Sequence, residues 1–468
     1  MISKPVPMRS EPQHLERWLR RDGTKLTSNW QTSTASLSPP HTIKADGSKS
    51  VKVASRFGIL HLPRQILAHG NQEGNVLPGN ALLPAHEGQI ITRGLQELAC
   101  LLPQDLPFAP VARLLGWQSL QEELLCDTTI RNLVRLHGQI VRKAEEEQVC
   151  ALLARTDLDT LTPELVAPAH APRRRAGWPQ ALSEAVDTAL IAGATRPPEG
   201  VSSADWERVV QARRQEASRS IADLRHLGPQ LEPDQVLATV DEVLTRKPEK
   251  RCFWELRTAK IVTPEGVRYF SGTGTSFLLL LTVFLQVCLG RQRRLLVIAD
   301  GARWIRNWYQ GFAALWSESC LLLDWYHLCH KCKEMACLIC RGRRAKKPLL
   351  KVVLCCLWQG QVAEAITALE AHRPEAKNLE KLDELIGYLN DRAIYIPNYR
   401  TRRRECRYIG SGHVEKTNDL LVAQRQKGHG MHWSLDTSDA LAALRTLMLN
   451  GGWDRYWRNR EVLPLVAG

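Results

Sequence analysis

The chain is 468 residues long and carries 63 Lys and Arg against 49 Asp and Glu, a formal charge of +14. That length allows two to four domains with sizeable cores, and that charge points to a polyanionic partner. The most apolar run, Phe277 to Leu289, is shorter than the roughly 20 residues a bilayer span needs. The opening MISKPVPMRSEPQ lacks the apolar segment of a secretory leader, so a soluble cytoplasmic protein is expected, with its 13 cysteines as reduced thiols.

Residues 1–55, rich in Ser, Thr, Pro and Lys without apolar period, read as a disordered basic and polar arm. Residues 56–88 hold short alternations such as Gly58-Ile59-Leu60-His61-Leu62 and predict a small β element. From 89 to 151 the period turns helical. Val111, Leu114 and Leu115 precede Gly116, and Asp127-Thr128-Thr129 can cap a second helix carrying Ile130, Leu133, Val134 and Leu136. Two short helices about a glycine turn, the second with Arg131 and Arg135 on its outer side, fit a DNA-binding helix-turn-helix and fit a plain helical hairpin equally well. Residues 152–232 read as a Pro- and Ala-rich linker followed by a polar helix from Ser203.

Residues 233–330 are the most informative. Gln235 to Val240 is an apolar strand ending in Asp241, and Cys252 to Val262 and Val267 to Phe270 flank the turn Thr263-Pro264-Glu265-Gly266. Phe277 to Leu289 reads as a buried helix. Leu295 to Ala299 is a continuously apolar strand closed by Asp300-Gly301, Arg303 to Trp316 returns as a helix, and the strand Cys320 to Leu323 ends in Asp324. The order strand, strand, strand, helix, strand, helix, strand, helix predicts an α/β domain of RNase H-like type, a mixed sheet flanked by helices. Beyond His330 the pattern is helical, and residues 406–468 close the chain with further helices.

Asp241, Asp300 and Glu415 are the candidate catalytic and metal-binding residues. Oxygen-only ligands suit Mg²⁺ or Mn²⁺, and two such ions side by side can activate a nucleophile and stabilise the leaving oxygen of a phosphodiester. Carboxylates that close would repel one another without them. Taken alone, Asp300 could equally be a helix cap. Arg400, Arg402, Arg403, Arg404 and Arg407 form a dense basic segment suited to DNA phosphates, and Lys427 lies in a glycine-flanked loop that could touch the backbone. Cys329, Cys332, Cys337 and Cys340 have a zinc-like spacing, but no Gly or Pro turn separates them, which favours a thiol-lined helix core. Trp433, Trp453 and Trp457 could stack on flipped bases or fill a core, and core filling is the expectation.

The segments ADGARW at Asp300, LDWYH at Asp324 to His327, IGSGHVE, QRQKGHGMHW and LNGGWDRYW resemble the DDE transposases of bacterial insertion sequences, in the Mutator-like branch, over roughly Gln235 to Trp457. The resemblance implies an RNase H-like catalytic domain interrupted by a helical insertion, which residues 331–405 fit. It further implies an active-site support role for Asp324 and His327, binding of double-stranded DNA at the element's terminal inverted repeats, cleavage and strand transfer with two metal ions, and a homo-oligomeric synaptic complex at the bacterial nucleoid. Glu242 after Asp241 and Lys416 after Glu415 depart from the pattern, where small residues are usual. An RNase H-like nuclease of another kind, or an inactive transposase-derived DNA-binding protein, are the competing readings.

Overall fold

A computed structural model of the chain describes residues 43–69, 75–76, 85–86, 89–157, 196–218, 231–249, 252–290, 293–316, 318–410, 416–428 and 430–466. Glu415, residues 1–42 of the expected arm and most of the linker after residue 157 lie outside them.

The first sheet holds β1 (Ile43–Ser55), β2 (Gly58–His69), β3 (Asn75–Val76), β4 (Ala85–His86) and β5 (Gln89–Ile91), in the order β3-β2-β1-β5-β4. β1 and β2 form an antiparallel hairpin that closes at Ser55 and Gly58, where a φ of +107° suits glycine. Residues 43–55 are therefore strand, not the disordered arm expected. The reason is a short alternation within polar sequence: Val51-Lys52-Val53 pairs with Leu62-His61-Leu60, and Val53, Leu60 and Ile90 bury one face.

Three helices follow, α1 (Arg93–Leu101), α2 (Phe108–Ser119) and α3 (Asp127–Leu153). Gly116 does not make the turn; it lies inside α2, where a Cβ would stand 3.0 Å from the Gln121 carbonyl, and the chain turns at Leu120 with φ +55°. Nor is the second helix short. α3 runs for 27 residues, capped by the Cys126 sulfur, which accepts from the Thr129 amide. α4 (Ser203–Ser218) is the polar helix expected, with Trp206 and Val209 in a small cluster of its own.

The second sheet is mixed and five-stranded: β6 (Gln235–Arg246), β7 (Phe253–Thr263), β8 (Gly266–Gly272), β9 (Arg294–Ala299) and β10 (Ser319–Leu323), in the order β10-β9-β6-β7-β8. β6, β7 and β8 form an antiparallel meander, while β9 and β10 continue parallel to β6. Between them run α5 (Gly274–Leu289), buried almost all round, and α6 (Arg303–Phe312). The segment after β10 is helical, as expected: α7 (Trp325–Ile339), α8 (Arg343–Trp358), α9 (Val362–Ala371), α10 (Leu379–Arg392) and α11 (Tyr399–Arg404). These helices share one continuous core with the sheet, α5 and α6.

A helix through residues 416–426, containing a π-helical turn at Asp419–Ala423, leads to α12 (Leu435–Leu449) and α13 (Trp453–Asn459). These last two build a second core with α1, α2 and α3, in which Trp433, Trp453 and Trp457 are all buried. The close approach of α3 to α12 depends on Gly138, where a Cβ would fall 2.4 Å from that of Ala440. Arg142 pins the junction, donating to Asp439 and Ser271 and pairing with Glu145. Arg135 is correspondingly not on an outer face: its Nε and Nη2 donate to Thr437 Oγ1 (2.6 Å) and Ser434 Oγ (2.9 Å), because α12 lies along that side of α3.

Candidate active site

Asp241 does not end its strand. β6 continues to Arg246 on its antiparallel partner β7, but its parallel pairing with β9 stops at Thr239 and Ile298. Extending that in-phase register by two residues sets Asp300 beside Asp241, on the same side of the sheet. The register thus places the two residues as neighbours where one parallel strand stops and the other runs on, near enough for the charge of Asp300 to act on Asp241.

Asp241 is held from two directions. Its Oδ1 accepts the Glu242 amide at 2.8 Å and its Oδ2 accepts Asn418 Nδ2 at 2.6 Å; Asn418 Oδ1 in turn accepts the hydroxyl of Thr258, the cross-strand neighbour of Asp241. Burial pushes the Asp241 carboxyl up to about 6, with the negative charge of Asp300 adding to the effect and the hydrogen bonds opposing it. Asp300 Oδ1 accepts the Ala302 amide at 2.8 Å, which fixes the turn into α6. At Gly301 φ is +77° and a Cβ would lie 2.7 Å from Leu323 Cδ1, so this turn needs glycine. Arg392, at the end of α10, donates Nη2 to the Gly301 carbonyl at 3.1 Å and ties the inserted helices to this turn.

Asp324, fully buried, is the N-cap of α7: its Oδ1 accepts the amides of Tyr326 (2.6 Å) and His327 (2.9 Å). His327 Nδ1 is 3.6 Å from the same oxygen, an ion-pair separation beyond a hydrogen bond. The Asp324 carboxylate chiefly, then Asp241 and Asp300, raise the His327 imidazole to about 9 against the opposing effect of burial. Aspartate and histidine thus share one electrostatic neighbourhood with the paired carboxylates. Gly410 stands against this group, for a Cβ there would come 2.6 Å from the Tyr326 ring and 3.3 Å from Asp324 Oδ2. Glu415 follows in the segment outside the described residues.

Two neighbours were not anticipated as parts of the site. Glu242 points to the other face of β6, accepts Trp304 Nε1, and has its carboxyl raised by burial with Asp300 contributing. Asn418 could have been noticed only as the polar residue three positions after Glu415 in the sequence.

The basic residues divide. Arg400, Arg403, Arg404 and Lys427 are exposed. Arg402 is half-buried and donates Nε to the Tyr408 carbonyl, and Arg407 pairs with Glu232 and Glu405. Arg131 pairs with Asp127 and stacks over Phe108. In the cysteine cluster, Cys329 and Cys332 are buried along α7, Cys340 is buried just past its end and Cys337 is exposed, the arrangement of a helix core. Among the described residues no three His, Cys, Asp or Glu side chains come together as a metal-binding group.

A scan against protein-family models matches none, and a search of curated proteins finds no match.

Proposed function

We propose that the chain is a DDE-type transposase whose active site is formed by Asp241, Asp300 and Glu415. The observation that carries this reading is the pairing of Asp241 with Asp300 at the end of β9. Its support is chemical: two carboxylates side by side, one of them pushed up to about 6, make an oxygen-rich, mutually repelling set that a divalent cation relieves. The strand order adds to it, since a three-strand meander continued by two parallel strands is the arrangement of RNase H-like domains.

In this reading Asp241, Asp300 and Glu415 would hold two Mg²⁺ or Mn²⁺ ions, which would supply Lewis acidity for phosphodiester cleavage and strand transfer. Asn418 orients the Asp241 carboxylate by donating to its Oδ2. Arg392 holds the Asp300 turn. His327, protonated at neutral pH in the free protein, balances the negative charge of the three aspartates around it. Arg400, Arg403, Arg404 and Lys427 draw the duplex toward this edge of the sheet. The substrates are the terminal repeats of the element and a target duplex, and two ends held together call for a homo-oligomer working at the bacterial nucleoid. Cleavage of a duplex carrying the element's own end, in Mg²⁺, tests the proposal. Wild type cuts it, and Asp300→Ala and Glu415→Ala bind the duplex without cutting; cleavage that survives both changes contradicts it.

A further inference from the structure

Away from the carboxylates, α2, α3 and the segment leading into α12 enclose an open cleft of ≈ 350 Å³. Its lining includes Phe108, Arg131, Arg135, Arg425, Met431 and Trp433, and it contains no acidic side chain. Arg425 is the unusual member. It is 7 % exposed, and its guanidinium stacks on Trp433 at 4.8 Å and on Phe108 at 5.4 Å. Its Nε donates to the Pro103 carbonyl, but Nη2 is buried without a partner, and Nη1 has only the thioether of Met431, at 3.1 Å. A thioether is a weak acceptor for a charged donor. The acids nearby are committed elsewhere: Asp127 pairs with Arg131, and the exposed Asp105 pairs with Arg445. A buried cation without a counter-ion is costly, and burial lowers Arg425 to about 10 although Asp105 opposes the shift. Arg131 stacks on the same Phe108 ring at 5.6 Å, and Arg135 lies beside it.

We propose that this cleft binds a phosphate group of the duplex backbone, held by Arg425, Arg131 and Arg135, with the Met431 thioether displaced by a phosphate oxygen. Arginine forks match a phosphate's oxygens, and the aromatic walls keep the guanidiniums from turning away. Arg425 lies seven residues beyond Asn418 on one helix, so the cleft stands about 10 Å along that helix from the Asp241 clamp. That is on the order of three base-pair steps of a duplex. A phosphate fixed here sets the register of the strand to be cut. The proposal rests on the reading of the chain as a DNA enzyme, and a free phosphate compound would offer the same chemistry.

The test uses the full chain labelled with ¹³C-methyl methionine. The Met431 resonance is assigned from Met431→Leu, and the protein is titrated with inorganic phosphate and, separately, with a 20-base-pair duplex. The Met431 signal moves with both, at far lower concentration for the duplex, and Arg131→Gln on the half-exposed rim weakens both responses. In the same duplex, Arg425→Gln and Arg131→Gln each flatten the plot of log affinity against log salt by about 0.9. A signal that moves with phosphate and not with the duplex assigns the cleft to a free phosphate ligand and overturns the DNA assignment. A signal unmoved by either, or moved equally in Arg131→Gln, overturns the site altogether. Duplex cleavage is scored in parallel: cutting with an unmoved Met431 removes the cleft proposal alone, and a moved Met431 without cutting removes the transposase reading alone.

Discussion

Asn418 Nδ2 donates to Asp241 Oδ2 at 2.6 Å, while its own carbonyl oxygen accepts from Thr258, the residue opposite Asp241 on β7. The amide thereby locks the rotamer of a carboxylate on the central strand from a helix almost 180 residues away in sequence. Asn418→Ala removes that clamp and leaves the Thr258 hydroxyl without its acceptor. The Mg²⁺ concentration for half-maximal DNA cleavage should rise by about 10- to 100-fold, with only about 1 kcal/mol lost in stability. A metal titration of cleavage beside a thermal melt separates the two effects, and an unchanged Mg²⁺ requirement contradicts the clamp.

Asp241 predicts a pH dependence of stability. Its carboxyl rises from about 3.9 in the unfolded chain to about 6 in the folded one, so the folded state favours the protonated form. That contribution is complete below the unfolded value and is lost as pH climbs through 6. Metal-free wild type should therefore weaken relative to Asp241→Asn between pH 4 and neutrality, by on the order of 3 kcal/mol, and Mg²⁺ should reverse the order by requiring the carboxylate. Melts of both proteins across pH, with and without the ion, read this directly.

His327 contributes in the same sense over a higher pH range. Its imidazole, raised to about 9 mainly by Asp324, stays protonated through neutral pH in the metal-free protein. Its stabilising share is present below the unfolded value of about 6.5 and fades as pH rises through 9. An NMR titration of its ring should show the high midpoint, and Asp324→Asn should bring it down; a midpoint near 6.5 in wild type contradicts the grouping.

Gly138→Ala tests the joint core of the two chain ends. A methyl there meets Ala440 Cβ at 2.4 Å and Cα at 2.5 Å, so α3 and α12 must separate. A loss of about 1 to 3 kcal/mol is expected, the usual cost of overpacking. A melt that Gly138→Ala leaves unchanged contradicts the close crossing.

Thiol chemistry should follow burial. Iodoacetamide at pH 8 should modify the exposed Cys337, Cys355 and Cys406 in the native chain. Cys288 and Cys332, both pushed up to about 12 by burial, should react only after denaturation. Mass spectrometry of the labelled peptides checks this.

The second sheet was legible because its strands carry unmistakable patterns. β9 is apolar at every position from Leu295 to Ala299 and ends in Asp300-Gly301, and the hairpin around Thr263 to Gly266 announces its own turn. Asp241 was expected to end its strand and does not, since a polar pair at Asp241-Glu242 reads as a strand end although Val243 and Thr245 resume the buried alternation. Asn418 and Arg392 carry no local signal; what gives them a role is the tertiary approach of distant helices. Arg135 misled for the same reason, because the helix that covers it begins almost 300 residues later. The β1 strand hid in polar sequence whose pairing partner, β2, supplies most of the pattern.

In the proposed site Asp241 and Asp300 act as one metal-binding unit. Mn²⁺ binding followed by electron paramagnetic resonance, in wild type, Asp241→Asn, Asp300→Asn and the double variant, tests it most directly. The paired site predicts that either single change weakens binding by at least about 10-fold and that the double variant is little worse than either alone, since coupled ligands are not additive. Wild type that binds no Mn²⁺ at millimolar concentration, or an Asp241→Asn protein that binds it as wild type does, contradicts it.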